Sequence, residues 1–521
     1  MRQVGSSLKS ARQVCTAIIV GLSINNFVIA QQPPQRAQPT GSQAIQLPLS
    51  GRSAQAGSVN ATQTPVPGTT SSVNTTNPTV QIQGVYSGSA PSTRLPFSGR
   101  LSLRDAVQRA IEYNLGRVGF DQTAEQSRGL RRSIRSALLP NLSINISEMV
   151  EQLNLQASGL QFNVPVPGIL LPRVVGPFNV FDVRANLSQT LFDLTALNNY
   201  RASGESVRAN ELSAEDARDL VVLAAGGVYL QVISAKAKIE SAQAQLETAN
   251  ALLRQTSQQR AAGVVAQVDL NRSQVEVMTQ QQRLVTLQSD LAKQKIILAR
   301  LTGLPPNQMY EISDSVPYSD PPAITLEIAL RQALEERSDL KAAEAQVRAA
   351  ERTRSAARAE RLPSVSVSAD YGAIGTNPAQ SHGTFTVVGV VHIPIWQGGR
   401  TEGNIAQAEA ALIQRRAELE DIKGRIESDV RNAFLDLQAA TSQVDVALKN
   451  IDVTKQNLDL TRQRFEAGVS DNVEVIQSQE SLTTAQLDYI NSVFAHNLAK
   501  LSLARAIGRA ADRLPQFLNL K

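Results

Sequence analysis

The strongest constraint on this 521-residue chain is that it carries one plan twice. Leu101-Ser-Leu-Arg-Asp-Ala-Val-Gln-Arg-Ala returns at an offset of 223 as Ile324-Thr-Leu-Glu-Ile-Ala-Leu-Arg-Gln-Ala, and Leu139-Pro140 returns at the same offset as Leu362-Pro363. Further on the offset is 205: Tyr229-Leu230 matches Phe434-Leu435, Ala262-Gly263-Val264 matches Ala467-Gly468-Val469, and Leu301-Thr-Gly303 matches Ala506-Ile-Gly508. The shortening falls between Pro363 and Phe434, which marks a loop that tolerates deletion. A repeat found before any secondary structure is assigned fixes the architecture to two like units.

Each unit changes period in the same order. Residues 101–139 and 325–362 are dense in Ala, Leu, Arg and Glu, strong helix formers, and both stop at a proline. Period two follows. Val365, Val367, Ala369 and Tyr371 alternate with Ser364, Ser366, Ser368 and Asp370. Phe181, Val183, Ala185 and Leu187 alternate with Asp182, Arg184, Asn186 and Ser188, and Phe385, Val387, Val391 and Ile393 with Thr384, Thr386 and His392. With Asn141 to Ile146 these predict four strands in two hairpins, turning within Gly159–Gly176 and Gly372–Gly383. Long helices then run over 193–259 and 397–466, with partners over 266–302 and 471–507. At 1.5 Å per residue the longer ones reach about 100 Å. Heptad-like apolar positions (Leu284, Leu287, Leu291, Leu298, Leu301; Leu487, Ile490, Phe494, Leu501) give narrow seams and wide wet faces. Such a body needs few large core residues, which accounts for only 4% aromatics.

A soluble amphipathic sheet alternates in the same way. Strand lengths near the 9 to 11 residues that cross a bilayer obliquely favour a membrane wall. So do Phe192 and Trp396, placed at the ends of the second and fourth strands, where interfacial aromatics belong. Open edges are not tolerated in lipid. Four strands cannot close alone, so the barrel must be shared between chains.

The N-terminus supplies an address. Arg2, Lys9 and Arg12 precede an apolar run from Val14 to Ile29 and a small Ala30, a removable export signal over 1–30. The one cysteine, Cys15, lies inside it, so the mature chain has no disulfide. Residues 31–97, rich in Gln, Ser, Thr, Pro and Gly, read as a disordered leader. Then come a first structural unit over 98–303 (β-hairpin 141–192, helical hairpin 193–302) and a linker over 304–323. A second unit over 324–508 (β-hairpin 364–396, helical hairpin 397–507) and a tail over 509–521 complete the chain. The formal charge of +5 suggests a nucleic-acid or anionic partner, but its location removes that reading. No acid precedes Asp105, whereas eight bases do, and the rest carries 43 bases against 46 acids.

An export signal followed by a twice-used order of helix, β-hairpin and long helical hairpin resembles the TolC-like outer membrane efflux protein family. The local signs are the Leu-Ser-Leu and Ile-Thr-Leu openings, Leu-Pro before each hairpin, and the tips Arg260-Ala-Ala-Gly263-Val-Val-Ala-Gln-Val-Asp269 and Arg464-Phe-Glu-Ala-Gly468-Val-Ser-Asp-Asn-Val-Glu474. The resemblance implies a mainly α chain with a membrane β-barrel portion. Three chains would share a 12-stranded outer-membrane barrel continued by a long periplasmic α-helical barrel. It further implies a passive, non-enzymatic duct in the outer membrane, docked to a periplasmic adaptor and an inner-membrane transporter, with no cofactor and no nucleic acid. A periplasmic coiled-coil adaptor or scaffold is the alternative from another class.

The expected site residues lie at the tips. Gly263 and Gly468 allow the turn, and Val264, Val265, Ala266, Val469 and Ser470 are small or apolar enough to accept an adaptor hairpin; plain turn chemistry explains the glycines too. Asp269 and Glu474, equivalent at offset 205, would form a ring of acids at the entrance, or simply favour a helix N-terminus. Some family members lock the entrance with Tyr and Arg near the second tip; Phe465 and Ser470 stand there instead. His382, His392 and His496 lack metal-ligand spacing.

Overall fold

The computed structural model of the chain describes residues 57–66, 75–90, 97, 99–155, 157, 174–508 and 510–518. The expected signal over 1–30 lies outside them. The first unit contains β3 (Arg100–Leu101), α1 (Leu103–Tyr113), α2 (Leu115–Ser136), β4 (Asn141–Asn154), β5 (Val174–Phe192), α3 (Leu194–Ala261) and α4 (Gln267–Leu301). It is preceded by β1 (Val59–Val66) and β2 (Thr75–Ile82). After β6 (Glu311–Ile312) the second unit repeats the order with α5 (Leu326–Glu336), α6 (Ser338–Ala359), β7 (Ser364–Gly375), β8 (His382–His392), α7 (Arg400–Glu466) and α8 (Asn472–Ile507), closed by α9 (Ala510–Phe517).

The repeated openings are helix caps. Ser102 Oγ accepts from the Asp105 backbone N–H at 3.0 Å, and Thr325 Oγ1 accepts from that of Ile328 at 3.4 Å. Each expected first helix is in fact two. Asn114 and Arg337, at equivalent positions, take extended backbone (ψ 131° and 126°) and break the run. Neither break involves glycine or proline, so composition did not mark it. Asn114 instead recaps α2, accepting from Gly116 N–H at 2.8 Å while its amide donates to the Tyr86 carbonyl at 2.7 Å.

The four strands form one antiparallel sheet in the order β4-β5-β7-β8. Its register lines up apolar rows: Leu142, Leu187, Ala369, Val387, and next Ile144, Ala185, Tyr371, Phe385. One face is therefore continuous hydrocarbon, and most of it is exposed. The other face carries Ser143, Asn186, Asp370 and Thr386, and an Arg184–Asp370 ion pair of 2.6 Å. Three strands are longer than expected, at 14, 19 and 12 residues, and β8, at 11, is as expected. Gly176 lies within β5 and Gly372 within β7, rather than in turns, and Trp396 sits four residues beyond β8. One chain does not close this sheet: β4 and β8 are open edges.

The long helices pack side by side in the order α4-α3-α8-α7. Among the described residues, only α3 is long and apolar enough to cross a bilayer, and 67% of its apolar window is buried inside the protein. It is a core helix: Val221, Val222, Ala224, Ala225, Val228 and Val232 are buried beneath α1, α8 and the β1-β2 pair. Two glycines make that crowding possible. A Cβ on Gly226 would stand 2.8 Å from Leu501 Cδ2, and one on Gly227 would stand 2.5 Å from Val80 Cγ2. Gly227→Val should thus lower stability by about 1–3 kcal/mol, as overpacking does. It should also open 59–82 to protease, with Val80→Ala in the same chain restoring part of the loss. An unchanged melt and digestion pattern would show that the contact is not a tight one.

The β1-β2 pair corrects the leader reading over this stretch. Residues 57–90, expected to be disordered, include strands whose Val59, Val80 and Ile82 join the core. The apolar spacing there is too sparse to announce a strand without knowing the helices it covers. The linker is also built in. β6 pairs in parallel with β3. Lys500 Nζ donates to Ser319 O at 2.6 Å and to its Oγ at 2.8 Å, Asn497 Nδ2 donates to Val316 O at 3.1 Å, and His496 Nε2 lies 3.0 Å from Ser319 O. Burial brings the Lys500 ammonium down to about 8 and lowers His496 as well. The tail is helical as α9, with Leu514, Phe517 and Leu518 buried.

Candidate functional site

Both helical hairpins turn in the same way. At the first tip Gly263 has φ +77°, its N–H donates to Arg260 O at 3.0 Å, and Val264 N–H donates to Gln259 O at 2.9 Å. At the second, Gly468 has φ +72°, with bonds to Phe465 O at 3.1 Å and from Val469 N–H to Arg464 O at 2.9 Å. These are two Schellman motifs, in which a left-handed residue after the helix lets two N–H groups satisfy carbonyls of the last turn. No heavy atom stands within 4 Å of a Cβ built on either glycine, so the surroundings of the turn are open. Val264 and Val469 are exposed, as are Gly263, Ala266 and Gly468, while Val265 and Ser470 are half-buried.

Asp269 and Glu474 both occupy the third position of the returning helix, where an acid meets the positive helix end. Each also has an arginine from its own chain. Arg272 Nη1 lies 3.3 Å from Asp269 Oδ1, and Arg464 Nη1 lies 3.1 Å from Glu474 Oε2, which also accepts from Ser470 Oγ at 2.9 Å. The N-caps differ: Asp471 accepts from the N–H groups of Val473 and Glu474, whereas Ala266 has no side chain that can cap.

The tips touch through residues the sequence did not single out. Asn472 Nδ2 donates to Ser273 Oγ at 2.9 Å and reaches the Asp269 carbonyl at 3.3 Å, and Ser273 in turn meets Thr256 Oγ1 at 3.2 Å. All three side chains are buried. A polar residue inside a heptad seam is the only signal that could have found them. Phe465 is buried with Leu458, Val475 and Leu482, so it serves as packing beneath the second tip.

At the opposite end, Phe192 and Trp396 are exposed, Trp396 at 86%. Leu191, Ile393 and Ile395 are exposed alongside them, in the chain segments that pass from sheet to long helix. Two further apolar stripes run down the helical body. Val268, Val275, Met278, Val285 and Ile296 lie along α4, and Leu435, Val446, Val453 and Leu460 along α7, all exposed at steps of 3, 7 or 11 residues. Such steps keep one face of a helix. Each stripe is additional to the apolar seam with which its helix packs inside the chain.

Among the described residues no group of His, Cys, Asp or Glu is arranged to hold a metal ion. His496 contacts the linker and Thr441, while His382 and His392 lie on β8.

A family model described as outer membrane efflux protein matches residues 124–304 and 329–509. The chain is 25% identical over 339 residues to outer membrane protein OprJ of Pseudomonas aeruginosa, covering 61% of this chain and 66%, just under two thirds, of OprJ. It is 25% identical over 337 residues to the pyoverdine export outer membrane protein OpmQ of Pseudomonas putida, covering 62% and 70%. The fold is similar to the crystal structure of outer membrane protein VceC from Vibrio cholerae, with a TM-score of 0.67, 18% identity, and coverage of 78% of this chain and 96% of that one.

Proposed function

The chain belongs to the outer membrane efflux protein family, and we propose that it acts as a homotrimeric exit duct through the outer membrane, passive and fed by partners. One observation carries this reading: both walls of the molecule end uncovered. The sheet runs β4-β5-β7-β8 and the helical body α4-α3-α8-α7, each from the first unit at one edge to the second at the other. Open strand edges and unpartnered apolar stripes therefore occur at both ends of both rows. Joining α4 and β4 of one copy to α7 and β8 of the next satisfies all of them at once, and three copies supply twelve strands. The exposed apolar face of the sheet then meets lipid and its polar face lines water. A periplasmic scaffold would leave that face without a use.

On this reading the tips face a periplasmic adaptor, which would connect the duct to an inner-membrane transporter. Gly263, Val264, Val265, Ala266, Gly468, Val469 and Ser470 form the docking surface, Asp269 and Glu474 place six carboxylates near the entrance, and Phe192 and Trp396 sit at the membrane interface. The chain's own chemistry is positional: it encloses a path and holds charges along it.

Purified protein added to a planar bilayer should insert as an ohmic pore with a preference for cations. Asp269→Asn with Glu474→Gln should abolish that preference and shift it toward anions, because Arg272 and Arg464 lose their partners and remain. Block by multivalent cations should fall as well. Absence of a pore would refute the duct; a pore with unchanged selectivity would refute only the ring.

A further inference from the structure

We propose that Arg131, Arg132 and Arg135, at the end of α2, bind the phosphate of an anionic phospholipid in the periplasm-facing leaflet of the outer membrane. The proposal rests on reading the β4 to β8 sheet as a membrane wall.

The two units provide an internal comparison. At the offset of 223 the counterparts of Arg131, Arg132 and Arg135 are Arg354, Ser355 and Arg358, and of these Arg358 is paired with Glu409 of α7. In the first unit the position 205 residues before Glu409 is Gly204, and its neighbour Glu205 is taken by Arg348 at 2.9 Å. Arg131, Arg132 and Arg135 are exposed, and among the described residues none has a carboxylate within ion-pair distance. One turn earlier, Arg128 is satisfied by Glu125 and Glu211. The three arginines thus form an exposed basic cluster in the last turns of α2.

Arg131 is also positioned. Its guanidinium lies 5.0 Å from the centre of the Tyr200 ring, and one nitrogen reaches the Tyr200 hydroxyl at 3.3 Å. It also lies against Gly204 of α3, its guanidinium carbon 3.6 Å from where a Cβ would be, an ordinary contact distance. A planar fork held over an aromatic ring with no acid in ion-pair distance is suited to a phosphate.

The location fits a headgroup. Arg135 precedes the first strand residue, Asn141, by six positions, and α2 rises only about 1.5 Å per residue. The interfacial zone on each side of the hydrocarbon is about 5–8 Å deep, and arginine side chains can extend toward it. Leu130, Leu139, Leu191 and Phe192 are exposed in the neighbouring segments, giving the mixed apolar and basic edge of an interfacial surface. Compensation of the helix dipole accounts for Arg135 in the last turn, but not for the stacking of Arg131 on α3.

The full-length protein is reconstituted into nanodiscs holding equimolar phosphatidylcholine and phosphatidylglycerol. The lipids kept on the trimer are then counted by native mass spectrometry. Wild type should retain phosphatidylglycerol preferentially, and the preference should fall roughly fivefold for each arginine removed, through to R131Q/R132Q/R135Q. R425Q/R431Q, which removes two exposed α7 arginines that already have carboxylate partners, should keep it. Equal retention by wild type and the triple variant, or equal loss in the α7 control, overturns the proposal. Failure of wild type to enter the disc at all would instead refute the membrane reading on which it rests.

Discussion

Val446→Glu together with Val453→Glu should leave the chain folded and stop it from assembling. Both side chains are about two thirds exposed in the single chain, at 67% and 64%, and lie seven residues apart on α7. Within one protomer a glutamate there stays in water, and surface changes of that kind usually alter stability by no more than about 0.5 kcal/mol. Between protomers the same positions would face the apolar stripe of α4. Each interface would then bury two carboxylates without partners, at several kcal/mol per charge, and a closed ring repeats that cost at every interface. The expected result is a monomer of unchanged helix content by light scattering and circular dichroism, with no pore in a bilayer. A trimer of wild-type stability would mean that this stripe is covered by something other than a second copy, and would remove the observation on which the duct rests.

The elements open to sequence reasoning were those with a strict period. Two residues per repeat marked the strands around Val365 and Phe181, and the duplicated Ala-Gly-Val at 262 and 467 marked both turns within a residue of where they fall. The elements that were not legible depend on partners distant in sequence. Asn114 breaks a helix because Tyr86 offers it a carbonyl, and residues 59–66 and 75–82 form strands because Gly227 leaves a groove for Val80. The same limit applied at the tips. Asp269 and Glu474 could be paired with each other by offset, but their ion pairs with Arg272, three residues on, and with Arg464, across the turn, depend on rotamers. The Asn472–Ser273–Thr256 chain joins residues up to 216 positions apart, all within helical sequence that looks alike.

Gly263→Trp and Gly468→Trp should each bring efflux in a complemented deletion strain down to the level of the empty strain, while leaving a trimer that still conducts. The turn itself accounts for a modest cost. Any residue with a Cβ is strained at φ near +75°, by about 1–2 kcal/mol. Nothing nearby adds to that, because the space around both glycines is open. A hairpin whose arms are 68 and 35 residues long, packed along most of their length, will not dissociate for so small a loss. Bulk is a separate matter, since an indole at 263 or 468 projects from the surface an adaptor must meet. Alanine separates the two effects, because it carries the same backbone strain with one carbon of bulk. If the tips dock a partner, Gly263→Ala and Gly468→Ala should retain most of the efflux that tryptophan removes. If the glycines serve the turn alone, alanine and tryptophan should fail together and the trimer should weaken in both. Full efflux with tryptophan at either tip would mean that the partner binds elsewhere on the helical wall.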